Sequence, residues 1–228
     1  MKDVDKMWLN LLSTYFNIHY NKSVKYRGIF KYLIPLFPKC DKELWCVLTN
    51  IARSLKHKAK GLKIPRRFGS YKGNKQKIQH SKIVVVLDTL KQEGYLDFYR
   101  GGLINMDNED KQTSIYIPTD KMLALWEGID VSGEKNELIA VQIRDRLLKE
   151  NLSTKGCSGV AEMQKFITRY NALLANTEIC VGNSPVPIQQ YSRIFSGNTT
   201  RGGRYYNSSG GVQTMPSAMR KHMTIKLS

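Results

Sequence analysis

The sequence predicts a mainly α protein with one small β-hairpin and a Gly/Arg-rich C-terminal segment. Three observations predict it. Apolar residues recur every three or four positions in segment after segment, as in Leu44, Trp45, Leu48, Ile51, Ala52 and Leu55. Only two short runs, 97–100 and 113–117, read as strands, and the polar loop between them makes them a pair. From Val181 to Ser228, Gly and Ser abound, the apolar period fades, and every charge is positive. That composition predicts a tail that is partly ordered or completed by something else.

Taken in order, residues 3–16 place Val4, Met7, Trp8, Leu11, Leu12 and Tyr15 at helical spacing, with Asp3 and Asp5 at the end where the helix dipole favours them. A polar turn follows over 17–25. Residues 27–37 carry Ile29, Phe30, Leu33, Ile34 and Phe37 and form a short second helix, broken near Pro35 and Pro38. The third helix spans 41–56. Between Lys56 and Lys82 lie ten cations and no Asp or Glu. Gly61, Pro65, Gly69 and Gly73 exclude a continuous helix there, so a long, mobile basic loop is expected. A helix from about 82 to 93 puts Ile83, Val86, Leu87 and Leu90 on one face and stops at Gly94.

A basic helix followed at once by a hairpin is the layout of a winged helix-turn-helix, with 82–92 as the recognition helix. Thr119 is a candidate N-cap for a helix with Met122, Leu123, Leu125 and Trp126, ended by Gly128. The polar stretch 131–135 reads as a linker. It divides the chain into a helical, winged-helix-like nucleic-acid-binding domain over 1–130 and a helical segment with a basic Gly-rich end over 136–228. In the second part, 137–150 reads as helix through Leu138, Val141, Ile143, Leu147 and Leu148. Residues 151–159 read as loop. From Val160 on, Met163, Phe166, Ile167, Tyr170, Leu173 and Leu174 mark one more strong helix.

The formal charge is +17 and the pI about 9.7. A polyanionic partner is expected: DNA, RNA or an anionic surface. No apolar run approaches the roughly 18 residues of a membrane helix, so no membrane partner is expected. The opening residues lead into an amphipathic pattern rather than a signal peptide, which makes the expected location cytoplasmic. Cys40, Cys46, Cys157 and Cys180 are scattered, without C-x-x-C or nearby His at ligand spacing. No metal, cofactor or catalytic residue is assigned. Phosphate-cradling loops of the G-x-x-x-x-G-K-[ST] kind are absent, as are G-x-S-x-G and H-E-x-x-H.

The candidate phosphate contacts in the basic loop are Lys58, Lys60, Lys63, Arg66, Arg67, Lys72, Lys75, Lys77 and Lys82, with Tyr71 placed to stack on bases. Lys91 belongs to the helix that follows. The tip between the strands holds Asp107, Glu109 and Asp110, which phosphates repel, so Arg100 and Lys111 on its flanks are the candidate contacts there. In the tail Arg193, Arg201, Arg204, Tyr205, Gln213 and Arg220 are candidates.

One stretch of that tail is specific: Arg193-Ile194-Phe195-Ser196-Gly197, Gly202-Gly203-Arg204-Tyr205-Tyr206, Gly210-Gly211-Val212-Gln213, then Pro216 and Arg220. It resembles a segment of replication-associated proteins of phages, plasmids and other mobile elements. In that family the segment precedes a polymerase core like that of family A DNA polymerases, and a winged-helix-like region lies upstream. The resemblance covers 160–228 by motif and, more loosely, 40–126. It implies a DNA partner, a role in replication, and nucleic-acid contacts at Arg193, Gly202, Gly203, Arg204, Tyr205, Gln213 and Arg220. In the family the first metal-binding aspartate follows soon after, in an Asp-Tyr-Ser-like motif. This sequence has no acidic residue after Glu178, and two-metal nucleotidyl transfer needs paired carboxylates. The expectation is a non-catalytic DNA-binding protein of a phage or mobile element. The alternatives are a shortened replicase relative that works through a protein partner, such as a polymerase, as inhibitor or accessory factor, and the N-terminal piece of a polymerase.

Overall fold

The computed structural model describes residues 9, 12–18, 20–66, 68–71, 74, 76–99, 114–132, 140–146, 151–200, 202–207, 212–215 and 217–227. The chain divides into two compact units, Met1–Glu134 and Lys135–Ser228.

In the first unit, α1 (Arg27–Leu33), α2 (Asp41–Lys56) and α3 (His80–Gln92) accompany a four-stranded sheet of β1 (Ser13–Tyr15), β2 (Gly61–Ile64), β3 (Leu96–Tyr99) and β4 (Ser114–Pro118), in the order β1-β2-β4-β3. A short α4 (Asp120–Ala124) follows. β2 runs parallel to β1 and antiparallel to β4, and β3 and β4 pair antiparallel with Phe98 opposite Tyr116. α2 forms where the apolar period predicts it, with Asp41 and Glu43 in its first turn and Arg53 and Lys56 in its last, each on the favourable end of the dipole. Leu44, Leu48 and Ile51 of α2, Ile83, Leu87 and Leu90 of α3, and Leu62 and Ile64 of β2 are all buried in one core. Beside them the Tyr26 ring packs against Trp45 and Trp126, at 5.7 and 5.1 Å, while Phe30 stacks on Trp45 at 4.3 Å. The buried Glu43 carboxylate accepts the backbone N–H of Gln79 at 2.9 Å, tying α2 to the first turn of α3. Thr119 caps α4, its Oγ1 accepting from the Met122 N–H.

In the second unit, β5 (Val141–Arg144), β6 (Asn151–Leu152), β9 (Tyr191–Ser196) and β10 (Gly202–Asn207) form a sheet in the order β10-β9-β5-β6. β5 and β9 are parallel, which requires a long crossover. That crossover contains α5 (Val160–Ala175) and the hairpin of β7 (Thr177–Val181) and β8 (Ser184–Pro185). β11 (Met223–Leu227) pairs along the whole of β7, after a short α6 (Ser217–Arg220). A small core of Val141, Ile143, Val160, Ile167 and Phe195 joins α5 to β5 and β9.

The protein is therefore mixed α/β, with three sheets among the described residues. This overturns the expectation of a mainly α winged helix-turn-helix protein with one small β-hairpin. Three segments account for the difference. Residues 13–15, expected in the first helix, are β1, because Ser-Thr-Tyr suits a strand and the edge of β2 offers it backbone partners: Lys60 N–H donates to the Leu12 carbonyl at 2.8 Å and Phe16 N–H to that of Lys63 at 3.0 Å. Gly61–Ile64, expected in a mobile loop, is β2. A Cβ on Gly61 would lie 2.9 Å from the Tyr116 carbonyl oxygen and 3.0 Å from Ser13 Oγ, so only glycine lets β2 sit between its neighbours. In 137–150, expected to be helical, Val141–Arg144 is a strand with Val141 and Ile143 buried at alternate positions. The C-terminal region, expected to be partly ordered with no strand assigned, supplies β9, β10 and β11. No helix among the described residues is long and apolar enough to cross a membrane.

Candidate nucleic-acid interface

The fold sorts the cations of the basic stretch into two groups. Lys58, Lys60 and Lys77 are exposed, and Lys82, in the first turn of α3, is half-buried. Lys91 is exposed too, with its ammonium 5.2 Å from the centre of the Phe98 ring. Lys63 and Arg66 belong to the structure itself. Lys63 is 3% exposed, between β1 and β4, with its ammonium 4.5 Å from the centre of the Tyr15 ring. Burial lowers its pKa to about 8. Arg66 donates to both carboxylate oxygens of Asp88 on α3, at 2.7 and 2.9 Å, and to the Tyr116 hydroxyl at 2.5 Å. Its guanidinium also lies 5.6 Å from the centre of the Phe98 ring. The pair stabilises both charges: Asp88 is held below the usual carboxylate range and Arg66 above its ordinary value, each chiefly by the shared hydrogen bonds.

Tyr71, expected to stack on bases, is buried and donates its hydroxyl to the Pro65 carbonyl at 2.9 Å. Beside it, His80 Nε2 lies 2.7 Å from the Arg66 carbonyl, which can only accept, so Nε2 carries the proton of that hydrogen bond. The face of α3 expected to read bases is thus partly committed, Asp88 to Arg66 and Lys91 to Phe98. Arg67, Lys72, Lys75, Arg100, Lys111 and Arg201 lie outside the described residues.

In the second unit the tail motif builds a definite structure. Gly202 and Gly203 both have φ of +81°, and the β9–β10 register shifts at this point. The bulge delivers the Gly203 carbonyl to Arg193 Nε at 2.9 Å. A Cβ on Gly203 would lie 2.6 Å from the Phe195 ring, so the motif needs glycine for both its conformation and its close approach. The Arg193 guanidinium is held 4.9 Å from the Phe195 ring centre and 5.5 Å from that of Tyr205, and its Nη1 reaches Met163 Sδ at 3.3 Å. Gln213 is a strap: its amide accepts from the Asn207 N–H at 2.8 Å and donates to the Tyr205 carbonyl at 2.7 Å, standing in for a strand beyond β10. Arg204 and Arg220 are exposed.

Sequence reasoning missed α5 as a surface. Phe166, Tyr170 and Leu173 are 59%, 38% and 56% exposed, and only Val160 and Ile167 of this helix are fully buried. A signal was present. At about 100° per residue, Val160, Met163, Ile167 and Leu174 already fill a core-facing stripe, and Phe166, Tyr170 and Leu173 widen it beyond what a small sheet can cover. Among the described residues no group of three His, Cys, Asp or Glu is placed to hold a metal ion.

No family model, curated protein or solved structure matches the chain.

Proposed function

We propose that the chain is a DNA-binding protein of a phage or mobile element that serves replication. The observation that carries this reading is the positive charge the fold leaves at its surface. Lys58, Lys60, Lys77, Arg204 and Arg220 are exposed, and among the described residues none of them pairs with a carboxylate. Uncompensated surface cations repel one another, and a phosphate backbone relieves that repulsion while releasing its condensed counterions. The motif built around Arg193 and Gly203 adds support, as does its likeness to replication-associated proteins, which is also what suggests a phage or mobile element.

The test is a variant with Lys58, Lys60 and Lys77 changed to Gln. Its circular dichroism should match the parent's. Its dependence of log affinity for duplex DNA on log salt should flatten by about one unit for each phosphate that is no longer neutralised, roughly three in all. An unchanged slope with an intact fold would remove these residues from the interface.

A further inference from the structure

Beside the Arg193 motif, α5 and the β9–β10 hairpin enclose a cleft of about 250 Å³, lined by Glu162, Met163, Phe166, Ile167, Arg193 and Tyr205. We propose that this cleft seats one unpaired base of a single-stranded nucleic acid. The inference rests on the reading of the chain as a nucleic-acid-binding protein and specifies strandedness, which surface charge alone does not.

Size is the first reason. Sites for drug-sized ligands begin at about 300 Å³, so this cleft suits a single ring system. The nature of the walls is the second. Met163 and Ile167 give an apolar floor, and Phe166 and Tyr205 leave aromatic surface open to solvent at 59% and 39%. Single exposed aromatics are ordinary, but here two line one cleft and a row continues from them. Phe166 lies parallel to Tyr170, ring centres 6.4 Å apart and planes 2° apart, and Tyr170 meets Tyr191 at 5.9 Å. Successive bases of a flexible strand stack on such rows whatever their sequence, because every base has a π-face.

Charge is the third. Arg193 is oriented by Gly203, Met163, Phe195 and Tyr205, yet among the described residues its Nη2 has no hydrogen-bond partner. It can donate to a phosphate without giving up the contacts that hold it. Lys165 and Arg169 on α5 and Arg204 on β10 are exposed nearby in sequence. Residues 135–228 carry thirteen Lys and Arg against five Asp and Glu, which favours a polyanion over a protein face that lacks acidic residues. A duplex cannot use the cleft, since its bases are already stacked and paired, so the occupant is a single strand.

The experiment uses the full chain with a 12-nucleotide strand carrying 2-aminopurine and the same sequence as a duplex. Binding of the strand should quench the 2-aminopurine, as stacking does. Phe166→Ala should lower affinity for the strand by roughly 5- to 150-fold, leaving duplex affinity and thermal unfolding as in the parent, and Tyr205→Ala should lower affinity for the strand by a similar factor. Phe166→Trp should restore both quenching and affinity. Phe166 is largely exposed, so its variant reports even if Tyr205→Ala unfolds the hairpin. The proposal is overturned if Phe166→Ala binds the strand as the parent does, or if strand and duplex affinities fall together. If the parent binds neither form, the reading of the chain as a nucleic-acid-binding protein fails first, and this inference with it.

Discussion

Lys63 shows how far a residue's context can outweigh its charge. Below pH 8 the folded chain carries an ammonium in a place that disfavours it. Between pH 8 and 10.5 the unfolded chain keeps a proton that the folded chain has released, so Lys63 makes stability rise with pH across that window. Lys63→Met should therefore be more stable than the parent at pH 7, by up to about 3 kcal/mol, and the gap should narrow toward pH 10. Urea unfolding at the two pH values reads it, and a constant gap would deny the depressed pKa. DNA affinity should not change. Arg66 makes a related case. Arg66→Ala and Asp88→Ala should each cost up to about 1 kcal/mol, with the double variant losing no more than the larger single one. A loss of DNA affinity in Arg66→Ala without a loss of stability would return Arg66 to the interface. Neither role was legible in the sequence, where every cation of an acid-free stretch reads as an available phosphate contact. Lys63 is buried because its strand has neighbours on both edges and cover on both faces, a property of tertiary structure that no local pattern encodes.

At the scale of elements, what was readable divides by the range of the forces involved. α2, α3 and α5 were legible because their apolar periods and end charges are local, and β3 and β4 because a polar loop separates two alternating runs. β5 was hidden by apolar neighbours that mimic a helical period. β9 and β11 were hidden because their partners β5 and β7 lie far away in the sequence, and β10, an edge strand paired only with β9, because most of its residues are exposed and show no apolar alternation. Leu87→Ala on α3 should cost roughly 2–5 kcal/mol in urea unfolding, as a fully buried leucine does, and a neutral result would contradict the placement of α3 in the core. The β9–β10 bulge yields a sharper contrast. Gly203→Ala forces a non-glycine residue to φ of +81° against the Phe195 ring, and should cost at least about 1–2 kcal/mol. Gly69→Ala, where a Cβ meets nothing within 4 Å, should stay within about 0.5 kcal/mol of the parent. Equal effects would mean that the glycine pair does not shape the Arg193 site.

For the whole molecule, the net charge of +17 is the property that most constrains function. It was legible from composition alone. Which cations remain available was not, since the fold withdraws Lys63 and commits Arg66 while leaving Lys58, Lys60 and Lys77 in solvent. Both units carry an excess of positive charge, so the central claim is that the chain binds nucleic acid by neutralising phosphates. The most direct measurement is the affinity of the full chain for labelled duplex and single-stranded DNA between 50 and 200 mM salt. Engagement of about six to ten phosphates predicts a loss of roughly three to five decades over that range, with the single strand retained better. Weak binding that hardly responds to salt would contradict the claim and turn the charge toward an acidic protein partner.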